Sequence, residues 1–286
     1  MNRQTTSVLF AAWVLSLASL ARADELGDKG REVFQKHQRA VVTVQIVLKT
    51  KYSLPGLGGQ DSESRQDLTG TVVDPSGLTV LALSATDPGN MIQSLMAGMA
   101  GDEEDMKLKF ETELTDVKIL LEDGSELPAE VVLRDKDLDL AFVRPKTKPA
   151  TTMAALDLNQ AASARVLDHV ITLNRLGQAA GRAYAVSVQR LTAVVQKPRL
   201  FYISESSSTS TTLGAPVFTL DGNILGVFVT RTLSTKHGGG LGGMFSLQPE
   251  GPTAIILPAV DIRKGAKQAA EAKSETEKKS DQKDDK

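Results

Sequence analysis

Apolar and polar positions alternate in short runs along most of the chain. Ala40 to Lys49 (AVVTVQIVLK) is β-branched and apolar, which predicts a strand. Ahead of it, Leu26, Val33 and Phe34 recur on one face among charged residues, predicting a helix over Leu26 to Arg39. Ser53 to Asp67 is rich in glycine, serine and proline and is expected to be a loop. From Leu68 to Ser84 two apolar runs flank Pro75-Ser76-Gly77, the composition of a hairpin turn. Lys107 to Val143 continues in strands: Val117 to Leu121, a turn at Glu122-Asp123-Gly124-Ser125, Ala129 to Arg134, then Asp137 to Val143. Past Pro145 to Ala150 (PKTKPA), a polar linker, a second half begins near Thr151. Its expected strands are Ala164 to Leu173, Ala183 to Val195, Phe201 to Ser204, Pro216 to Leu220, Ile224 to Thr230 and Thr253 to Leu257. Asp221-Gly222 between two of them is a strong short-range hairpin signal. Short strands punctuated by turn residues predict an all-β barrel or sandwich architecture.

Three stretches break that pattern. Met91 to Met106 places Met91, Leu95, Met96 and Met99 at helical spacing, as in an insertion helix capping a barrel or a methionine-lined partner surface. From Lys264 the chain holds Lys, Glu, Asp, Gln, Ser and Ala, with few apolar groups to offset ordering entropy; a disordered tail or frayed helix is expected. At the other end, Arg3 precedes the apolar run Ser7 to Leu20 and the small-x-small site Ala21-Arg22-Ala23, the signature of a secretory signal peptide. The expected division is a signal peptide over 1–23, a helix and first barrel over 24–148, a second barrel over 149–263 and a charged tail over 264–286. No later apolar run is long enough to span a bilayer. The 286 residues carry a formal charge of −2, which gives no nucleic-acid footprint. An exported chain without cysteine fits a bacterial periplasm or outer surface.

Candidate chemistry centres on Thr211-Thr212-Leu213-Gly214-Ala215-Pro216-Val217, ahead of the Asp221-Gly222 hairpin. It resembles the nucleophile segment of trypsin-like serine proteases, G-N-S-G-G-P-hydrophobic. Leu68 to Ser84 resembles G-x-G-x-V-x-x-x-x-G-x-I-x-T-N-x-H of the HtrA (Deg) group, and Asp139-Leu140-Ala141-Phe142-Val143 resembles its D-[LI]-A-[LV]-[LIV]. The resemblance implies a double β-barrel. Many members add a PDZ domain after the barrels; only the charged tail follows them in this sequence, so none is expected. Residue by residue, the resemblance puts Ser84 in the place of the catalytic histidine, Asp139 in that of the aspartate and Leu213 in that of the serine. Thr211, Gly214 and Ala215 take the oxyanion-turn positions.

Amide hydrolysis on such a scaffold needs a hydroxyl deprotonated by a carboxylate-held histidine, and backbone donors for the oxyanion. A serine hydroxyl accepts no proton near neutral pH, and a leucine has no nucleophilic atom. Losing base or nucleophile typically removes on the order of a million-fold in rate. The expected function is therefore that of an exported pseudoprotease that binds a peptide or protein. A serine endopeptidase with a rearranged site and a structural envelope protein acting through its tail are the alternatives. The three histidines are not paired with a hydroxyl and a carboxylate: His37 is expected to face solvent, His169 to sit at a barrel surface or end, and His237 to lie in a glycine-rich loop. Ser204 to Thr212 and Gly238 to Gly243 are expected to be loops, and no cofactor or metal motif is present.

Overall fold

A computed structural model of the chain describes residues 25–54, 58–86, 109–205, 212–231 and 253–272. Its strands form two closed six-stranded barrels. In the first, β1 (Val41–Leu54), β2 (Gly58–Val72), β3 (Thr79–Ala82), β4 (Lys109–Leu120), β5 (Glu126–Asp135) and β6 (Leu140–Pro145) close in the order 1-2-3-6-5-4. In the second, β7 (His169–Arg175), β8 (Tyr184–Val195), β9 (Phe201–Ser204), β10 (Pro216–Thr219), β11 (Ile224–Arg231) and β12 (Thr253–Pro258) close in the order 10-11-12-9-8-7. All pairings are antiparallel, so every strand alternates between lumen and outside.

That alternation sorts the core into three parts. Val42, Val44, Ile46, Leu81, Ile119 and Val143 fill the first lumen. Val170, Leu191, Tyr202, Val217, Phe228 and Ile256 fill the second. The opposite faces of the same strands meet between the barrels, where Val80, Phe142, Ile171, Phe218, Val227 and Leu257 share one cluster. The connection from β6 to β7 is pinned along both bodies. Met153 and Leu156 donate to Pro75 O and Val72 O of the first barrel, and Ala162 donates to Ile224 O of the second.

Three α-helices are found among the described residues: α1 (Glu25–His37), α2 (Leu83–Thr86) and α3 (Ala259–Glu271). α1 leads into the first barrel but lies against β7 and β8 of the second. α3 leaves the second barrel and reaches β5 and β6 of the first. Each barrel is thus strapped by the terminal helix of the other. None of these helices is long and apolar enough to cross a membrane.

Two expectations need correction. The loop assigned to Ser53–Asp67 is mostly strand, because β1 runs to Leu54 and pairs with β2 from Gly58 onward. The tail assigned from Lys264 is helical through Glu271, with Gly265 and Ala269 buried. The insertion helix over Met91–Met106 and the signal peptide over 1–23 lie outside the described residues.

Candidate functional site

β3 ends in α2, a single turn that carries Ser84 at the rim of the first barrel. The turn between β5 and β6 carries Asp139, whose φ of 56° lies in the left-handed region. Asp139 closes over the start of α2: its carbonyl accepts from Leu83 N at 2.9 Å and its Oδ1 accepts from Ser84 N at 2.6 Å. These bonds satisfy donors that a helix start leaves unpaired. Ser84 Oγ lies 2.9 Å from Asp139 Oδ2.

The second barrel supplies the remaining partner. Thr230, near the end of β11, donates its backbone N–H to Asp139 Oδ2 at 2.6 Å. Its hydroxyl lies 2.8 Å from the same oxygen and 3.0 Å from Ser84 Oγ. One half-buried carboxylate therefore gathers two backbone N–H groups and a pair of hydroxyls across the inter-barrel boundary. Thr230 had no signal in the sequence beyond its place in a strand; only the packing of β11 against α2 brings it to Asp139.

The turn that carries Leu213 meets this region from the second barrel. Gly214 has φ +86°, and a Cβ there would lie 2.2 Å from Thr69 O and 3.6 Å from Ala82 N. Only glycine lets the turn approach β2 and β3 so closely. Thr71 Oγ1 donates to Gly214 O at 2.8 Å, locking the turn to the first barrel. Leu213 is half-buried and packs on the apolar cluster between the barrels. The amides of Gly214 and Ala215 are committed to Phe228 O at 2.8 Å and Thr212 O at 3.0 Å. Thr211 lies outside the described residues.

The structure brings Ser84 and Asp139 into direct contact and sets the Leu213 turn on the neighbouring strands. The described imidazoles stand elsewhere. His37 does not face solvent as expected: its ring stacks on Phe218 at 4.6 Å, and its Nε2 donates to Gly222 O at 3.1 Å. Burial holds its pKa below the usual histidine range, helped by the charge of Lys36. His169 opens β7 and accepts from Arg190 Nε at 3.3 Å. His237 lies outside the described residues.

Chemically, the assembly around Asp139 is a network of hydroxyls and amides about a carboxylate. Its hydroxyls donate or accept hydrogen bonds, and among the described residues none is placed against an imidazole that would take its proton.

Residues 68–227, more than half of the 286-residue chain, match the family model of the trypsin-like peptidase domain. No curated protein sequence matches the chain significantly. Among solved structures the chain is similar to the crystal structure of the MamO protease domain from Magnetospirillum magneticum in its apo form, at 15% identity and a TM-score of 0.46. That match covers 81% of this chain and 98% of the other.

Proposed function

The chain belongs to the trypsin-like peptidase domain family, and from that premise we propose that it is a catalytically silent member that binds an extended peptide or a protein without cutting it. The observation that carries this reading is the set of groups around Asp139. Where a protease of this family holds an imidazole, the carboxylate receives Ser84 Oγ and Thr230 Oγ1 instead. Asp139 then acts as a pin between barrels, and its bonds pair the amides of Ser84 and Thr230, which would otherwise be left without it. Leu213, packed on the apolar cluster, offers a hydrophobic contact at the nucleophile's place.

Binding takes place at the seam where the Leu213 turn meets the first barrel. The peptide or protein is held there by contact and backbone pairing rather than by acyl transfer. The chain is exported by its N-terminal segment and works in the periplasm or outside the cell. Support for that part is the sequence from Arg3 to Ala23 alone.

A fluorophosphonate probe and a casein assay test the reading on the full chain. No serine is expected to be labelled and no casein cut, and Leu213→Ser alone remains inactive because Ser84 cannot act as its base. Labelling of a single serine in the unmodified chain, or casein cleavage by Leu213→Ser, overturns the proposal. Export is checked by fractionating the expressing bacterium and reading the mature N-terminus, expected at Asp24.

A further inference from the structure

Three strands of the first barrel outrun the barrel itself. β1 pairs with β2 from Val41–Thr71 to Leu54–Gly58 and with β4 from Thr43–Leu120 to Ser53–Lys109. The neighbouring strands stop early. β3 meets β2 only at Thr71 and Val72, and β5 meets β4 only over Lys118, Ile119 and Leu120. A ribbon with β1 at its centre therefore projects beyond the closed barrel. Among the described residues, β4 from 109 to 117 has β1 on one side and no strand on the other. Such an edge presents unpaired backbone N–H and C=O groups and is a template for an added strand.

The side chains on that edge carry a definite charge. Lys49 lies opposite Glu113, and Lys51 opposite Glu111. A bulge between Val47 and Leu48 takes up Thr115 as an extra residue, so Asp116, opposite Val47, falls on the same face as Glu113 and Glu111. β4 thus shows Glu111, Glu113 and Asp116 in a row, the last of them beside Lys118, whose Nζ is 3.8 Å away. On the far side of β1, Lys49 and Lys51 are also opposite Glu63 and Asp61, and Lys49 Nζ is 3.4 Å from Asp61. The two central lysines are shared among Glu111, Glu113, Asp61 and Glu63, so Glu111 and Glu113 on the outer edge of β4 are only partly compensated.

We propose that this open edge of β4 is a second binding surface, separate from the Asp139 site, and that it takes an extended basic segment by strand addition. Lysine or arginine at alternate positions of the added strand falls opposite Glu111 and Glu113, while the residues between them face Thr112 and Leu114. The same charges turn away a second copy of the chain. Pairing β4 with its own symmetry mate sets carboxylate against carboxylate, and pairing it with β2 of another copy sets it against Asp61 and Glu63. Like charges directly opposite in adjacent strands are destabilising.

The test uses the full chain and a fluorescent peptide in which lysine alternates with threonine. Anisotropy is expected to report saturable binding, and a peptide of the same composition with its lysines contiguous is expected to bind more weakly. The double substitution Glu111→Lys, Glu113→Lys is expected to raise the Kd about tenfold or more, since two attractive cross-strand pairs become repulsive. Thr230→Val, at the Asp139 site, leaves this Kd unchanged. If the lysine variant does not fold by circular dichroism, Glu111→Gln, Glu113→Gln replaces it, with a smaller rise expected. In hydrogen exchange, alternate amides of β4 are expected to be fast in the free chain and to slow when the peptide binds. Equal binding of the contiguous-lysine peptide, no binding at all, an unchanged Kd in the Glu111/Glu113 variants, or slow exchange at every β4 amide before peptide is added overturns the proposal. So does a concentration-dependent dimer that the double substitution dissolves.

Discussion

At the scale of single residues, Asp139, Leu167 and Arg182 hold a left-handed backbone, with φ of 56, 71 and 54°. For Asp139 the strain is offset by the four hydrogen bonds its carboxylate collects from Ser84 and Thr230. Asp139→Ala removes that acceptor and leaves the amides of Ser84 and Thr230 unpaired, at a cost of about 2–3 kcal/mol. A urea titration checks this, with Asp139→Asn expected to lose less because it keeps one acceptor and tolerates φ > 0. Leu167 has no such compensation. Its side chain is 64% exposed at a turn whose geometry is held by the Leu167 N bond to Leu191 O at 2.8 Å. Leu167→Gly relieves the left-handed strain without removing buried contact. It is expected to stabilise the fold by about 0.5–1 kcal/mol after the entropy of glycine in the unfolded chain is counted, read as a higher urea midpoint.

Among the elements, α1 is the one whose docking depends on pH. Its buried face presents Val33, and His37 at its end stacks on Phe218 and donates to Gly222 O. Burial lowers the pKa of His37 in the folded chain, so near the ordinary value of about 6.5 the unfolded chain binds the proton more readily. The stability contributed by the neutral ring is therefore full above that ordinary value and is lost as pH falls through the folded pKa. Thermal unfolding between neutral and mildly acidic pH should show Tm falling on acidification. His37→Gln, which can still donate to Gly222 O, should flatten that part of the profile. α3 behaves differently, since its inward face carries Ala259, Ile262, Gly265 and Ala269 and no titrating group.

In the whole molecule, the barrels are joined by crossed helices and by polar ties rather than by the linker alone. Arg182 Nε donates to Asp67 Oδ2 at 2.6 Å, and Arg175 Nε donates to Thr43 Oγ1 at 3.3 Å. α3 is the tighter strap: a Cβ at Gly265 would stand 2.9 Å from the ring of Phe142, which is fully buried. Gly265→Val forces that ring or the helix to move and is expected to cost about 1–3 kcal/mol. Faster hydrogen exchange in β5 and β6, far from Gly265 in sequence, would show that the second barrel's helix stabilises the first. Unchanged exchange there would mean the strap contributes nothing to the first barrel.

The strands and their turns were legible in the chain because their signals are local. Alternation marks a half-buried strand, and Asp221-Gly222 marks a hairpin. Tertiary structure decided what depends on distant partners. Gly58 to Gln66 has poor strand composition and is extended because β1 pairs with it. Residues 264–271 look like solvated tail and are helical where Gly265 and Ala269 meet a buried face, with Gly265 against Phe142. His37 reads as a surface residue until Phe218 closes over it, and Thr230 reads as an ordinary strand residue until β11 sets it against Asp139. Period and turn chemistry are written within a few residues, whereas burial and hydrogen-bond partnership are properties of two segments at once.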